Sequence, residues 1–138
     1  VEQTRLDDPS PQPPVKHVWI RAVDAMPDGL ALHQNLLAYV SDFELLATST
    51  LPHALSFTRG NVILASLDHA LWFHRRFRMD EWLLYSMESP NAGGARGYTR
   101  GQFFTQDGTL VASTTQEGLI RVVDPAKARE RSNPREQV

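Results

Sequence analysis

Residues 30–49 read LALHQNLLAYVSDFELLATS, and this stretch decides the fold. It contains neither glycine nor proline, and its large apolar side chains recur every three or four residues, as on one face of an α-helix. A helix of about 20 residues is roughly 30 Å long, so a sheet would have to wrap around it. The apolar stripe is expected to comprise Leu32, Leu36, Tyr39, Val40, Phe43 and Leu46.

The chain on either side of this helix has the character of β-strands. Before it, residues 15–23 are rich in β-branched and aromatic side chains and stop near a turn at residues 27–29. After it, strands are predicted at residues 62–73, 81–89, 96–105 and 109–122. The breaks between them hold turn residues, including an Asp-Gly pair favoured in tight hairpins. The pairings should therefore be antiparallel.

The length, composition and net charge of the chain indicate one domain and limit its partners. A chain of 138 residues with 41% hydrophobic content has the usual size for one globular domain. The formal charge of −2 gives no global basic field, so nucleic acid is not an expected partner. No cysteine is present, which is compatible with a reducing compartment. No apolar run approaches the roughly 18 residues that span a bilayer. We therefore expect a cytoplasmic domain without a membrane span.

Composition also predicts where the domain begins and ends. Residues 1–14 finish in a proline-rich run and are predicted to be a linker. Residues 124–138 are charged and almost without large apolar side chains, which predicts a flexible tail. The domain should occupy residues 15–123 as an α+β fold, with a curved antiparallel sheet around one long central helix. Periodicity alone leaves ferredoxin-like and cystatin-like arrangements open.

Three polar side chains lie on rows that should face the core. Strand alternation places Gln116 on one face with Leu110, Ala112, Thr114, Gly118 and Ile120. It places Ser66 on one face with Val62, Leu64, Asp68, Ala70 and Trp72. Asp42 lies at the rim of the helical stripe, whereas Glu44 should point away from the sheet. Core-facing polar groups need hydrogen-bond partners, so Asp42, Ser66 and Gln116 could meet in one niche. Taken singly, each is more often a solvated or backbone-bonded residue.

Ordered blocks along the chain resemble the second half of type II acyl-CoA thioesterases. The blocks are LHQNLLAYVSDF (residues 32–43), SLDHALWFHR (66–75), EWLLY (81–85), ARG (95–97), TQDGTLVAS (105–113) and QEGLIR (116–121). Together they are far more specific than any short motif. The resemblance implies the hot-dog fold, in which an antiparallel sheet wraps a central helix. It also implies hydrolysis of fatty acyl-CoA to a free fatty acid and CoA, without a cofactor.

The family's catalytic groups match the three residues of the predicted niche. They are an Asp on the long helix, a Thr or Ser opening the block that contains Asp-His, and the Gln of the Gln-Glu-Gly block, which correspond to Asp42, Ser66 and Gln116. Asp42 would deprotonate a water that Gln116 and Ser66 hold, and a backbone N–H near the helix start could receive the oxyanion. Ser66 as a nucleophile is the alternative, although no His stands where the sequence shows that it could activate the hydroxyl.

Other polar side chains are candidates for contact with the substrate. Arg75 and Arg78 could hold CoA phosphates through paired hydrogen bonds, although a solvated strand end would look the same. The family often has Pro where Arg76 stands. His69 is close enough in sequence to the site to be a further candidate. His69 and His74 should lie on opposite faces and form structural hydrogen bonds. The five histidines form no helical metal-binding motif, so no metal is expected.

Members of the family usually carry two hot-dog domains in one chain, and this sequence corresponds to the second. A lone sheet would expose an edge, so we expect a homo-oligomer formed by hot-dog pairing, or pairing with a missing N-terminal hot-dog domain. Two alternatives to the thioesterase stay open. One is a hot-dog hydratase or dehydratase, for which the expected helix His is replaced by Ala47. The other is a non-catalytic half that binds acyl-CoA or serves dimerisation.

Overall fold

A computed structural model describes residues 10–124 of the chain. In this part of the chain, one six-stranded sheet encloses a helical segment, and the apolar core lies between them. The strands are β1 (Val15–Ile20), β2 (Val62–Ser66), β3 (Ala70–Phe73), β4 (Leu83–Gly93), β5 (Arg96–Thr105) and β6 (Leu110–Val122). The predicted linker (1–14) and tail (124–138) lie mostly outside the described residues. The predicted α+β class is confirmed.

The sheet is antiparallel at every pairing, as the turn residues predicted. Its strands run in the order β1-β4-β5-β6-β2, and β3 also pairs with β6. The short strands β2 and β3 therefore follow one another along the same side of β6 and form one edge of the sheet. The other edge is β1. This order places β6, the longest strand, beside the edge formed by β2 and β3.

The helical segment is shorter than predicted. The helix α1 spans Leu30–Val40, residues 41–45 form turns, and a 3-10 helix follows at Leu46–His53. The single helix predicted for residues 30–49 is therefore wrong in length. Within the described chain, no helix is both long and apolar enough to cross a membrane.

Two features of the turn account for the end of α1. In a continuing helix the carbonyl of Ser41 would accept the N–H of Leu45, but here it accepts the hydroxyl of Tyr85 at 2.6 Å. Three residues beyond Ser41, Glu44 takes a left-handed backbone conformation with φ of 63°, which ends helical geometry. The chain is redirected at this point, and the turn carries Asp42.

Glu44 is held in this conformation by an ion pair with the ammonium group of Lys16. A non-glycine residue in the left-handed region costs roughly 1–2 kcal/mol. Lys16 belongs to β1 and its side chain is buried, so its charge needs a partner. The expectation that Glu44 points away from the sheet is therefore wrong.

The buried face of α1 also differs from the predicted stripe. The side chains of Leu32, Tyr39 and Phe43 are 44%, 67% and 50% exposed, so their assignment to the core is wrong. The fully buried positions of the helix are instead His33 and Leu37. The predicted stripe depends on a helix that continues without interruption to residue 49, whereas α1 ends at Val40. Three residues of the stripe are nevertheless placed as predicted, because Leu36 and Val40 pack against the core and Leu46 is buried.

A β-bulge divides the strand predicted for residues 62–73. The backbone N–H groups of Leu67 and Asp68 both donate to the carbonyl of Glu117, at 2.9 and 3.3 Å. One extra residue on this strand reverses the alternation of side chains. Ser66 keeps its core-facing position opposite Gly118, whereas the assignment of Ala70 and Trp72 to the same face is wrong. A register shift likewise places Leu110 opposite Phe104, on the outer face of the sheet.

Candidate active site

Three separate elements bring Asp42, Ser66 and Gln116 together. Asp42 lies in the turn after α1, Ser66 is the last residue of β2, and Gln116 is in the middle of β6. The side-chain nitrogen Nε2 of Gln116 donates to Oδ1 of Asp42 at 2.6 Å and to Oγ of Ser66 at 2.7 Å. Gln116 is only 1% exposed, whereas Asp42 and Ser66 are open to solvent. The three residues singled out in the sequence thus form one hydrogen-bonded cluster.

The hydrogen bonds of this cluster limit what each group can do. An amide nitrogen has two hydrogens, and Gln116 gives one to Asp42 and one to Ser66. The hydroxyl of Ser66 accepts from Gln116, so its own hydrogen can be donated onward. The second carboxylate oxygen of Asp42, Oδ2, can accept. A water between Asp42 and Ser66 could therefore be oriented by both groups, with Gln116 fixing their separation.

The remaining polar atom of Gln116 faces the interior. Its Oε1 is buried and has no hydrogen-bond partner among residues 10–124. Leaving a buried acceptor unsatisfied costs about 1–3 kcal/mol. The strand therefore carries this amide at a cost to stability.

Tyr85, which the sequence patterns did not indicate, supports the cluster from the core. Its ring stacks on Phe103 with 3.9 Å between centroids, and its hydroxyl donates to the carbonyl of Ser41. Burial, together with the negative charge of Asp42, raises the pKa of the Tyr85 phenol above its ordinary value. The phenol therefore keeps its hydrogen and donates it to the carbonyl of Ser41. Its position on the core-facing row of β4 was the available signal, because a buried Tyr hydroxyl needs a partner.

His69 and His74 contact protein groups on opposite sides of the sheet. Nε2 of His69 lies 2.8 Å from Oγ of Ser41 and 3.2 Å from Oγ1 of Thr114. Nε2 of His74 lies 2.8 Å from Oγ of Ser113. Both rings are hydrogen-bonded, as expected. Among the described residues, no three His, Asp or Glu side chains are grouped so that they could hold a metal ion.

Arg78, the second arginine predicted to hold CoA phosphates, is engaged with Asp80, Asp28 and Met26. Its guanidinium donates twice to Asp80, at 2.9 and 2.8 Å, once to Asp28 at 2.6 Å and once to the carbonyl of Met26 at 2.7 Å. The hydrogen bond from Arg78 and a further one from the backbone of Met26 hold the pKa of Asp80 well below its ordinary value. These contacts tie the loop before α1 to the segment before β4.

Arg75 instead lines an open cleft of about 630 Å³ together with Arg21 and Arg76. Arg75 donates to the carbonyl of Leu110 at 2.7 Å. The guanidinium of Arg21 lies 4.9 Å from the ring centroid of Trp82, a distance at which cation and ring attract. Acidic side chains also line the cleft, so its charge is mixed. The structure does not bring these arginines into contact with Asp42, Ser66 or Gln116.

An antiparallel sheet of this order around a helical core is the arrangement that was predicted as a hot-dog domain. The predicted hot-dog fold is confirmed by the similarity of the chain to a solved structure. That structure, the acyl-CoA thioesterase II TesB2 from Mycobacterium marinum, matches with a TM-score of 0.72 and 49% identity. The match covers 80% of this chain and 42% of that chain.

The chain belongs to the acyl-CoA thioesterase family, whose model matches residues 11–119. It is 43% identical over 109 residues to acyl-CoA thioesterase 2 of Haemophilus influenzae, covering 79% of this chain and 38% of that protein. It is also 43% identical over 110 residues to acyl-coenzyme A thioesterase 8 of Homo sapiens, covering 79% of this chain and 34% of that protein. The chain therefore spans less than half the length of each of these relatives.

Proposed function

We propose that this chain hydrolyses the thioester bond of a fatty acyl-CoA, releasing a free fatty acid and CoA. The observation that carries the proposal is the position of Gln116, whose Nε2 bonds Asp42 at 2.6 Å and Ser66 at 2.7 Å. The names of the relatives, acyl-CoA thioesterases, support the same chemistry. Because these relatives are more than twice as long, the activity of any whole protein containing this chain is part of the proposal.

The proposed nucleophile is a water molecule held beside Asp42 and Ser66. Asp42 accepts a proton from this water as the water oxygen attacks the thioester carbonyl. The tetrahedral intermediate then collapses with cleavage of the C–S bond, and the proton passes to the departing sulfur, giving a carboxylic acid and a thiol. A positioned general base typically accelerates such a step by about 10²- to 10⁴-fold. A thioester has little resonance stabilisation, so no covalent intermediate is needed.

The contacts of Ser66 favour water over Ser66 as the nucleophile. A serine nucleophile needs an adjacent base, but Oγ of Ser66 accepts a hydrogen bond from the neutral amide of Gln116. Nε2 of the nearby His69 is directed to Ser41 and Thr114. Ser66 is therefore better placed to bind the attacking water than to attack.

The oxyanion donor stays a prediction. A backbone N–H near the start of α1 is the predicted donor, and Asp42 follows the other end of this helix of 11 residues. At 1.5 Å per residue the two ends are roughly 16 Å apart, so the proposed base and the predicted donor of one chain are separated by about the length of the helix.

The phosphates of CoA are proposed to bind in the cleft lined by Arg21, Arg75 and Arg76. Guanidinium groups bind phosphate through paired hydrogen bonds, and within residues 10–124 the guanidinium of Arg75 donates to the carbonyl of Leu110 alone. Replacing Arg75 by Ala should raise KM for acyl-CoA several-fold and leave kcat nearly unchanged. The matched control is Arg96→Ala at the far end of β5, which should change neither constant. An unchanged KM in Arg75→Ala would remove the cleft from the proposal.

Pairing with a second hot-dog domain is proposed along the edge formed by β2 and β3. Three large apolar side chains there, Ile63, Leu67 and Trp72, are each at least half exposed. Exposed strand edges and apolar patches are usually covered. The purified chain is expected to be at least a dimer by size exclusion with light scattering. A monomer at micromolar concentration would contradict this expectation.

The proposed compartment is the cytoplasm, which imaging of a fluorescent fusion of the whole protein would test.

The assay that tests the proposed function follows thiol release from a fatty acyl-CoA with a thiol reagent. The wild type should release CoA, and both Asp42→Ala and Gln116→Ala should abolish the release. Asp24→Ala and Gln102→Ala, at exposed positions away from the cluster, are the matched controls and should retain full activity. Equal rates in all five proteins would place the activity at another site. No release by any of them would support a non-catalytic domain.

A further inference from the structure

His69 occupies a central position beside the proposed active site, although it does not touch Ser66. It lies in the bulge between β2 and β3, and its Nε2 approaches two hydroxyl oxygens, Oγ of Ser41 at 2.8 Å and Oγ1 of Thr114 at 3.2 Å. Ser41 immediately precedes Asp42. Thr114 shares the core-facing row of β6 with Gln116. One ring nitrogen therefore bridges the segments that carry two members of the cluster.

The hydrogens of the two hydroxyl groups determine the direction of these bonds. The hydroxyl of Ser41 donates to the carbonyl of Ala38 at 2.8 Å, and that of Thr114 donates to the carbonyl of Ala70 at 2.8 Å. A hydroxyl has one hydrogen to give, so both oxygens can only accept from His69. Nε2 of His69 must therefore carry a hydrogen and share it between them. That nitrogen is not available as a base.

We infer that His69 is a positioning residue that sets the separation between Asp42 and Gln116 by holding Ser41 against Thr114. The inference rests on the proposed thioesterase function and assigns His69 no contact with the reacting atoms. The main chain of Ser41 is already fixed on the core side by Tyr85 at 2.6 Å. His69 supplies the second restraint, at the side chain of Ser41. Without His69 the turn keeps its contacts with Tyr85 and Lys16 but loses the link from Ser41 to Thr114, so Asp42 can shift relative to Gln116.

The test compares His69→Ala with His69→Gln in the thiol-release assay. A glutamine can place its Nε2 near the position of the histidine Nε2 and donate to the same oxygens. A misplacement of about 1 Å can cost on the order of 100-fold in rate. His69→Ala should therefore lower kcat by about 10- to 100-fold with little change in KM, and His69→Gln should restore most of it. An unchanged kcat in His69→Ala, or a change in KM alone, would overturn the inference.

Two further readouts separate positioning from a role in chemistry or in stability. If His69 acts through Ser41, the double variant His69→Ala, Ser41→Ala should be no slower than the slower single variant. The rising limb of the pH profile of kcat should keep its midpoint in His69→Ala, because the base is Asp42. Loss of that limb would make His69 the base and overturn the inference, as would full additivity of the two substitutions.

The protonation of the His69 ring can be observed by NMR without measuring turnover. The ¹⁵N shifts of His69 should identify Nε2 as the nitrogen that carries the hydrogen, and a ring protonated only at Nδ1 would contradict the inference. Failure of the proposed function is distinguishable, because Asp42→Ala would then retain activity. An inactive Asp42→Ala beside an unaffected His69→Ala would refute the role of His69 alone.

Discussion

Replacing Asp42 by Asn should lower kcat for acyl-CoA hydrolysis by about 10²- to 10⁴-fold, the contribution typical of a general base. The substitution keeps the size of the side chain and an oxygen that can accept from Nε2 of Gln116. The cluster should therefore stay assembled while the proposed general base is lost. Steady-state kinetics over a range of acyl chain lengths measures the effect, and KM should change little.

The control for Asp42→Asn is the stability of the fold. Asp42 is exposed and lies in a turn that Tyr85 and Lys16 hold from other strands. The thermal midpoint should therefore stay within a few degrees of the wild type. A variant that unfolds at a much lower temperature would make the loss of activity a consequence of folding. A stable variant with wild-type kcat would show that Asp42 is not the base.

Replacing Gln116 by Met should lower the activity without lowering the stability of the fold. Methionine fills a similar volume but has no N–H to hold Asp42 and Ser66, so kcat should fall by on the order of 100-fold through misplacement of both groups. The substitution also removes a buried acceptor without a partner among residues 10–124, which costs about 1–3 kcal/mol. Because Asp42 and Ser66 are open to water, they can be solvated instead. The thermal midpoint should therefore be unchanged or higher.

The matched control for Gln116→Met is Gln102→Met on the exposed side of β5, which should alter neither activity nor stability. A further variant, Gln116→Glu, tests the geometry. It would place a second carboxylate where Nε2 now lies 2.6 Å from Asp42. Neighbouring like charges raise the pKa of a carboxyl group, so the rising limb of the pH profile should move to higher pH. An unmoved limb would mean that the two side chains are not in contact in solution.

Gln116 and Ser66 could be assigned to the core-facing side because strand alternation is robust over short distances, and the resemblance to the thioesterase family singled out Asp42 together with them. Gln116 faces the core because β6 keeps its alternation from Ala112 to Ile120. Ser66 was assigned to the correct face because the bulge at Leu67 and Asp68 begins only after it. The same rule failed beyond the bulge, where one extra residue reversed the faces. The sequence offered a weak signal there, because Asp is uncommon within strands.

The broken helix could not be predicted from apolar spacing. The spacing continues through residue 46, and the interruption depends on Tyr85, which lies 44 residues beyond Ser41 in the chain. Adjacent Ser41 and Asp42 are poor helix formers, but propensities of this size are easily overridden by packing. The contact between the buried Lys16 and Glu44 is likewise a tertiary one. Local sequence indicated a helical segment, and long-range contacts determined where it ends.

The turn that carries Asp42 is anchored to the sheet from several directions: through Lys16 on β1, through Tyr85 on β4, and through His69 beside the edge strand β3. The outermost strands of a sheet are the first to fray on warming. If either edge of the sheet loosens, the carboxylate of Asp42 would be displaced while the central strands keep their backbone hydrogen bonds. On heating, thioesterase activity should therefore be lost several degrees below the temperature at which circular dichroism shows the loss of secondary structure.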